Sequence, residues 1–172
     1  MKLYHKITWL VLLTVVGSAA ADAEGLKGRI VGGGTLVVTK KFRNLTTSAS
    51  GLGGTHLYKD PPTFTAVTDR IPAKLGVSFG IVFELTNLPK IQNATVGIVL
   101  VTKHPPVRRP DGTTSTGGER QLRLAVRGQE RIVSWAGFGF DRKEELVPGI
   151  WSFEVRSYSR LLCKKDFTVV RK

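Results

Sequence analysis

Cysteine is almost absent: Cys163 is the lone thiol in 172 residues. One thiol cannot bridge within a chain, so no disulfide framework holds this fold. With His5, His56 and His104 it completes the stock of soft metal ligands, and no two of them stand at the short spacing of a zinc site. No metal and no cofactor is therefore expected. Acidic residues are scarce, 13 against 26 lysines and arginines, which leaves a formal charge of +13. No apolar run approaches the roughly 20 residues that span a bilayer. Nor is any stretch patterned at the 3.6-residue period of an amphipathic helix. Ser134 and Ser152 lack the glycine-flanked elbow of a hydrolase nucleophile. The Gly32-Gly33-Gly34 run precedes a strand instead of joining a strand to a helix, so it fails the context of a phosphate-cradling loop.

What is present begins with an address. Lys2 and Lys6 open the chain, residues 7–17 are apolar, and Ser18-Ala19-Ala20-Ala21-Asp22-Ala23 supplies small residues. That order reads as a secretory signal peptide over residues 1–23, with cleavage after Ala21 or Ala23. The expected location is periplasmic or secreted. The remaining 149 residues carry one positive charge fewer than the whole chain. They are expected to form a single domain, long enough to bury about two-thirds of its unfolded surface.

Residues 24–34 are glycine-rich and read as a flexible N-terminal arm, leaving residues 35–172 as the folded domain. Strands are expected at 35–43, 63–68, 77–85, 94–104, 121–126 and 131–135, followed by a closing hairpin. Residues 44–54 and 105–118 have loop composition, and 141–146 fits one helical turn. In the hairpin, Trp151, Phe153 and Val155 share one face while Ser152, Glu154 and Arg156 take the other. In the last strand Leu161, Cys163, Lys165, Phe167 and Val169 share parity. Lys165 then either reaches out from a sheet edge or is reset by a bulge at residues 164–166. The fold class implied is all-β, a single immunoglobulin-like β-sandwich of about seven or eight antiparallel strands. The Cys-Trp-Cys spacing of antibody domains is missing.

Three blocks occur in order: Thr68-Asp69-Arg70-Ile71-Pro72-Ala73-Lys74-Leu75-Gly76 running on to Phe79-Gly80-Ile81, then His104-Pro105-Pro106, then Leu146-Val147-Pro148-Gly149-Ile150-Trp151 through to Phe167-Thr168-Val169. Together they resemble a bacterial exported family known as domain of unknown function 3859. The resemblance covers most of residues 63–169. It implies a bacterial source and an exported location, and it brings no catalytic residues.

The basic surplus is the bulk property that points to a partner. Lys40-Lys41, Arg43, Arg108-Arg109, Lys164-Lys165 and Arg171-Lys172 concentrate it locally. Such charge draws polyanions, among them lipopolysaccharide, anionic lipid and extracellular nucleic acid. No aromatic interleaving builds a base-stacking platform, so specific nucleic-acid recognition is not expected. The acids Asp141, Glu144 and Glu145 alternate with Arg142 and Lys143, the pattern of a solvated turn rather than a hydrolase carboxylate pair. Trp135 and Trp151 read as core anchors. The stretch 136–140, with Phe138 and Phe140, could instead form an aromatic loop rim. The contact residues expected from sequence are thus Arg108, Arg109, Phe138, Phe140, Lys164 and Lys165, with a partner strand adding at the basic closing strand. The leading functional expectation is an exported, non-enzymatic module that binds or scaffolds a cell-envelope protein or polymer. Electrostatic binding to an anionic surface comes second and a hydrolase third.

Overall fold

The computed structural model describes residues 25–37, 42–47, 54–57, 62–91 and 93–171, with 42–47 and 54–57 described at backbone level. The expected signal peptide, Lys40, Lys41 and Lys172 lie outside these residues. Eleven strands form among them: β1 (Lys27–Val37), β2 (Phe42–Thr47), β3 (Gly54–Leu57), β4 (Thr63–Ala66), β5 (Arg70–Pro72), β6 (Ser78–Thr86), β7 (Thr95–Arg108), β8 (Thr114–Ala125), β9 (Arg131–Gly139), β10 (Gly149–Ser157) and β11 (Arg160–Val170). A four-stranded sheet in the order β4-β1-β6-β9 packs on a five-stranded sheet in the order β5-β11-β10-β7-β8, and β2 pairs with β3 alone. One short 3-10 turn, Lys143–Glu145, joins β9 to β10. The fold is all-β.

Alternation decides what lies between the sheets. Phe79, Ile81, Phe83 and Leu85 of β6 face inward and are fully buried, and Trp151, Phe153 and Val155 of β10 meet them from the other sheet. Phe79 is the hub. Its ring centroid lies 5.3 Å from Phe140, 5.8 Å from Trp151, 5.7 Å from Phe153 and 5.5 Å from Phe167, in tilted or edge-on geometry. Such pairs prefer edge contact because the ring face is negative and its rim positive. The Trp151 indole N–H, buried with the ring, donates to the Val147 carbonyl.

Several expectations change. The glycine-rich arm is instead the first part of β1, paired with β6 from Lys27 to Leu36. Glycine lowers strand propensity, but here the missing side chains make room. A Cβ on Gly33 would stand 2.6 Å from the Lys165 Cε, and one on Gly32 would stand 2.6 Å from the Phe64 ring. Part of the expected 44–54 loop is strand, shared between β2 and β3. Most of the 105–118 loop is strand as well, because β7 runs on to Arg108 and β8 starts at Thr114. Pro105 and Pro106 fit since they fall where the β7–β8 register slips, between Lys103 and Val107, and the ladder does not need the N–H that proline lacks.

The stretch 136–140 is no loop rim. β9 continues to Gly139, Phe138 pairs with Phe79, and Phe140 is completely buried. Trp135 has the opposite parity: it pairs with Val82 on the outer face of the four-stranded sheet, not in the core. The closing strand is covered on both sides only at its end: β11 is flanked by β10 and, in parallel, by β5 over Thr168–Val170, while residues 160–167 pair with β10 alone among the described strands.

Candidate functional site

The residues expected to make contacts do not converge. Phe138 and Phe140 belong to the aromatic core. Lys165 pairs opposite Phe153, so the inward parity read from sequence holds from Cys163 to Val169; the register shifts at Leu162 instead of residues 164–166, which puts Leu161 opposite the outward Arg156. The Lys165 stem runs over Gly33, and its ammonium sits 5.4 Å from the Phe167 ring centroid and reaches Asp69 at 2.5 Å. Lys164 faces the other way and meets Asp166 at 3.2 Å. Arg108 and Arg109 stand at the opposite end of the strands from Lys27, where the Arg109 N–H donates to Thr113 and Asp111 accepts from the Thr113 N–H and hydroxyl.

Both outer sheet faces bury an acid beneath two cations. On the four-stranded sheet Glu84 is held by Arg29 at 2.8 Å and Arg131 at 3.3 Å, with its side chain 6% exposed. The hydrogen bond from Arg29 holds the Glu84 carboxyl below its ordinary range. On the five-stranded sheet Glu154 is held by Lys103 at 2.7 Å and by Arg156. Burial by itself would raise the Glu154 carboxyl, but Lys103 and Arg156 reverse that and leave it below its ordinary range. Arg156 lies two residues from Glu154 on its own strand, but strand pairing and not chain proximity brings up Arg29, Arg131 and Lys103, so the clamps were not visible in the sequence. They satisfy buried charge and leave no reactive group.

Glu145 is not part of a solvated turn: it is buried, and its carboxylate accepts from the Asp141 and Arg142 N–H groups. Two further titratable side chains lie in or beside the core. His104 stacks on Trp151 at a centroid distance of 4.6 Å, and its Nδ1–H donates to the Pro105 carbonyl at 2.7 Å. Its Nε2 is buried without a hydrogen-bond partner, and burial pulls its pKa below the ordinary histidine value. Cys163 sits half-buried opposite Val155, and burial pushes its thiol up to about 11. A thiol in that state stays protonated and unreactive at neutral pH.

Part of the remaining charge stands at one end. The strand directions bring together the start of β1, the β6–β7 loop, the β8–β9 loop and the β10–β11 turn. Lys27 and Arg131 flank Thr86 in one row across the sheet, and Arg29 flanks Glu84 in the next. The Arg160 guanidinium, at the start of β11, donates to the Leu26 carbonyl at 2.8 Å. Between residues 87–91 and 126–130 opens a cleft of about 530 Å³. Leu88, Pro89 and Ile91 give it apolar walls, with Ile91 65% exposed, and Lys90, Arg127 and Glu130 stand among its lining residues. Its loops are fixed: Asn87 donates to the Gly25 carbonyl, and the Gln129 side chain accepts from the Arg127 N–H and donates to the Ala125 carbonyl.

Lys90 and Arg127 were not singled out from the sequence, since each is one basic residue in a short loop. The strand count held the missing signal. The loops after β6 and after β8 are separated by two strand traverses, so they emerge at the same end. Among the described residues no group of three or more His, Cys, Asp or Glu side chains is placed to hold a metal ion.

Two facing sheets, antiparallel except where β5 joins β11, around an aromatic core and with a cleft between loops at one end, define an immunoglobulin-like β-sandwich. A solved immunoglobulin-like protein from Pseudomonas aeruginosa shares that fold. It is 22% identical, with a TM-score of 0.58, and the match covers 87% of this chain and 100% of that one. Residues 41–169 match the family described as Domain of unknown function (DUF3859), and the chain belongs to that family. β-Glucosidases from Listeria innocua and Kluyveromyces marxianus also match, at 10% and 13% identity and TM-scores of 0.42 and 0.34. The matches cover 62% and 54% of this chain but only 15% and 13% of those enzymes. No match is found among curated proteins.

Proposed function

We propose that this chain is an exported, non-catalytic immunoglobulin-like module that binds or scaffolds an anionic component of the cell envelope, protein or polymer, through the basic end of its sandwich. One observation carries the reading: Lys90 and Arg127 line the loop cleft, Lys27 stands beside it opposite Thr86, and Glu130 is the one acid among the cleft-lining residues. The two buried acids on the sheet faces, Glu84 and Glu154, are already matched by Arg29, Arg131, Lys103 and Arg156. Loops carry recognition on such scaffolds while the sheets supply rigidity. Like charges around a concave site concentrate the field and draw an anionic partner. The apolar walls add contact area for a ligand with more than a bare charge.

The experiment is a pulldown from envelope extract at low salt, with the purified chain as bait. A discrete complex that releases as salt rises, and that K90E/R127E fails to form, is the expected outcome. A complex formed equally well by the double variant would refute the assignment to this end.

A further inference from the structure

The edge of the five-stranded sheet carries an inference that goes beyond this reading. β8 (Thr114–Ala125) pairs only with β7 among the described strands, so its other side presents unpaired backbone groups to solvent. An open edge of that length is a template for another strand. Its usable window is bounded at both ends. At one end the Ser115 hydroxyl donates to the Gly117 carbonyl. At the other the Gln129 side chain donates to the Ala125 carbonyl. Residues 118–124 remain free between them, and Gln121 is their midpoint.

The side chains of this window are self-complementary about that midpoint. Glu119, Gln121 and Arg123 pair opposite Val101, Val99 and Gly97, which places all three on the outer face. Glu119 and Arg123 are exposed and make no ion pair within the described residues. In an antiparallel pairing of two copies centred on Gln121, Glu119 of each copy falls opposite Arg123 of the other. Opposite charges directly across a strand pair stabilise it, and a one-residue slip would turn these side chains to the wrong face. On the other face Arg120 lies opposite Leu122 of the second copy. Its aliphatic stem can cover that leucine while its head reaches water.

We propose that β8 is a self-association edge: two copies of the chain join antiparallel through residues 118–124 about a two-fold axis at Gln121, extending the five-stranded sheet across both. Such an isologous contact closes after two copies and does not propagate.

Sedimentation velocity over a concentration series, with Cys163 kept reduced, tests this. The wild-type chain is expected to show a reversible monomer–dimer equilibrium. E119R and R123E each set like charges opposite one another at two symmetry-related places and should weaken the dimer roughly tenfold. The double variant E119R/R123E restores opposite pairing and should recover dimerisation, while Q121P should abolish it. Circular dichroism and thermal melting report whether each variant is folded. A wild-type chain that is monomeric at every attainable concentration would overturn the proposal. So would a dimer that neither single reversal weakens, or a double reversal no better than the singles.

Discussion

At the scale of single residues, the core makes the sharpest demands. Phe79 packs against five other aromatic side chains, Phe138, Phe140, Trp151, Phe153 and Phe167, and is fully buried. Truncation to alanine removes those contacts and leaves a cavity between two stiff sheets that cannot collapse to fill it. F79A should cost about 3–5 kcal/mol, read from chemical denaturation. His104 makes stability depend on pH. Its folded-state pKa lies below 6.5, so the neutral ring is favoured by folding. That contribution is fully present above 6.5 and is lost as pH falls through the lower folded value. Glu84, Glu154 and Asp166 are also depressed, and they act in a more acidic window, below the ordinary carboxylate range. H104F should therefore flatten the melting temperature between neutral pH and the carboxylate range, while leaving the steeper acid loss in place. Melting curves across that range check it, and an unchanged slope would contradict it.

At the scale of elements, the sequence was most legible where alternation was unbroken. β10 is the clearest instance: Trp151, Phe153 and Val155 face the core and Ser152, Glu154 and Arg156 face out, as their spacing demands. β6 was legible for the same reason. Legibility failed where glycine or proline served a local contact instead of a turn. β1 looked like a loose arm because its glycines record the bulk of Phe64 and Lys165, which only pairing reveals. β9 looked as if it ended at Trp135, although Gly137 and Gly139 continue its pairing with β6. This view of glycine makes a paired prediction. A Cβ at Gly80 would run into the Ala136 carbonyl and the Gly137 Cα, whereas one at Gly97 would meet nothing within 4 Å. G80A should therefore cost about 1–3 kcal/mol through forced strand separation. G97A should be neutral or stabilising, by up to about 1 kcal/mol, since it restricts the unfolded chain. Denaturation midpoints of the two variants separate these outcomes.

At the scale of the whole molecule, the family and the fold were readable from sequence, but the candidate site was not. A surplus of positive charge favours anionic partners in general without pointing to any site. The clusters visible in the chain, Arg108-Arg109 and Lys164-Lys165, lie apart from each other in the fold, and both lysines of the second are paired with acids. The basic end is assembled instead from residues that stand singly in the sequence, Lys27, Lys90, Arg127 and Arg131. Strand direction alone makes them neighbours. The central claim is therefore one of location, that one end of the sandwich and not its total charge does the binding. Retention on a heparin column across a salt gradient tests this directly, comparing K90E/R127E with K74E/K143E, which changes net charge equally at the opposite end. The account predicts that the wild-type chain and K74E/K143E elute at similar salt while K90E/R127E elutes much earlier. Equal shifts for the two double variants, or no retention of the wild-type chain, would contradict it.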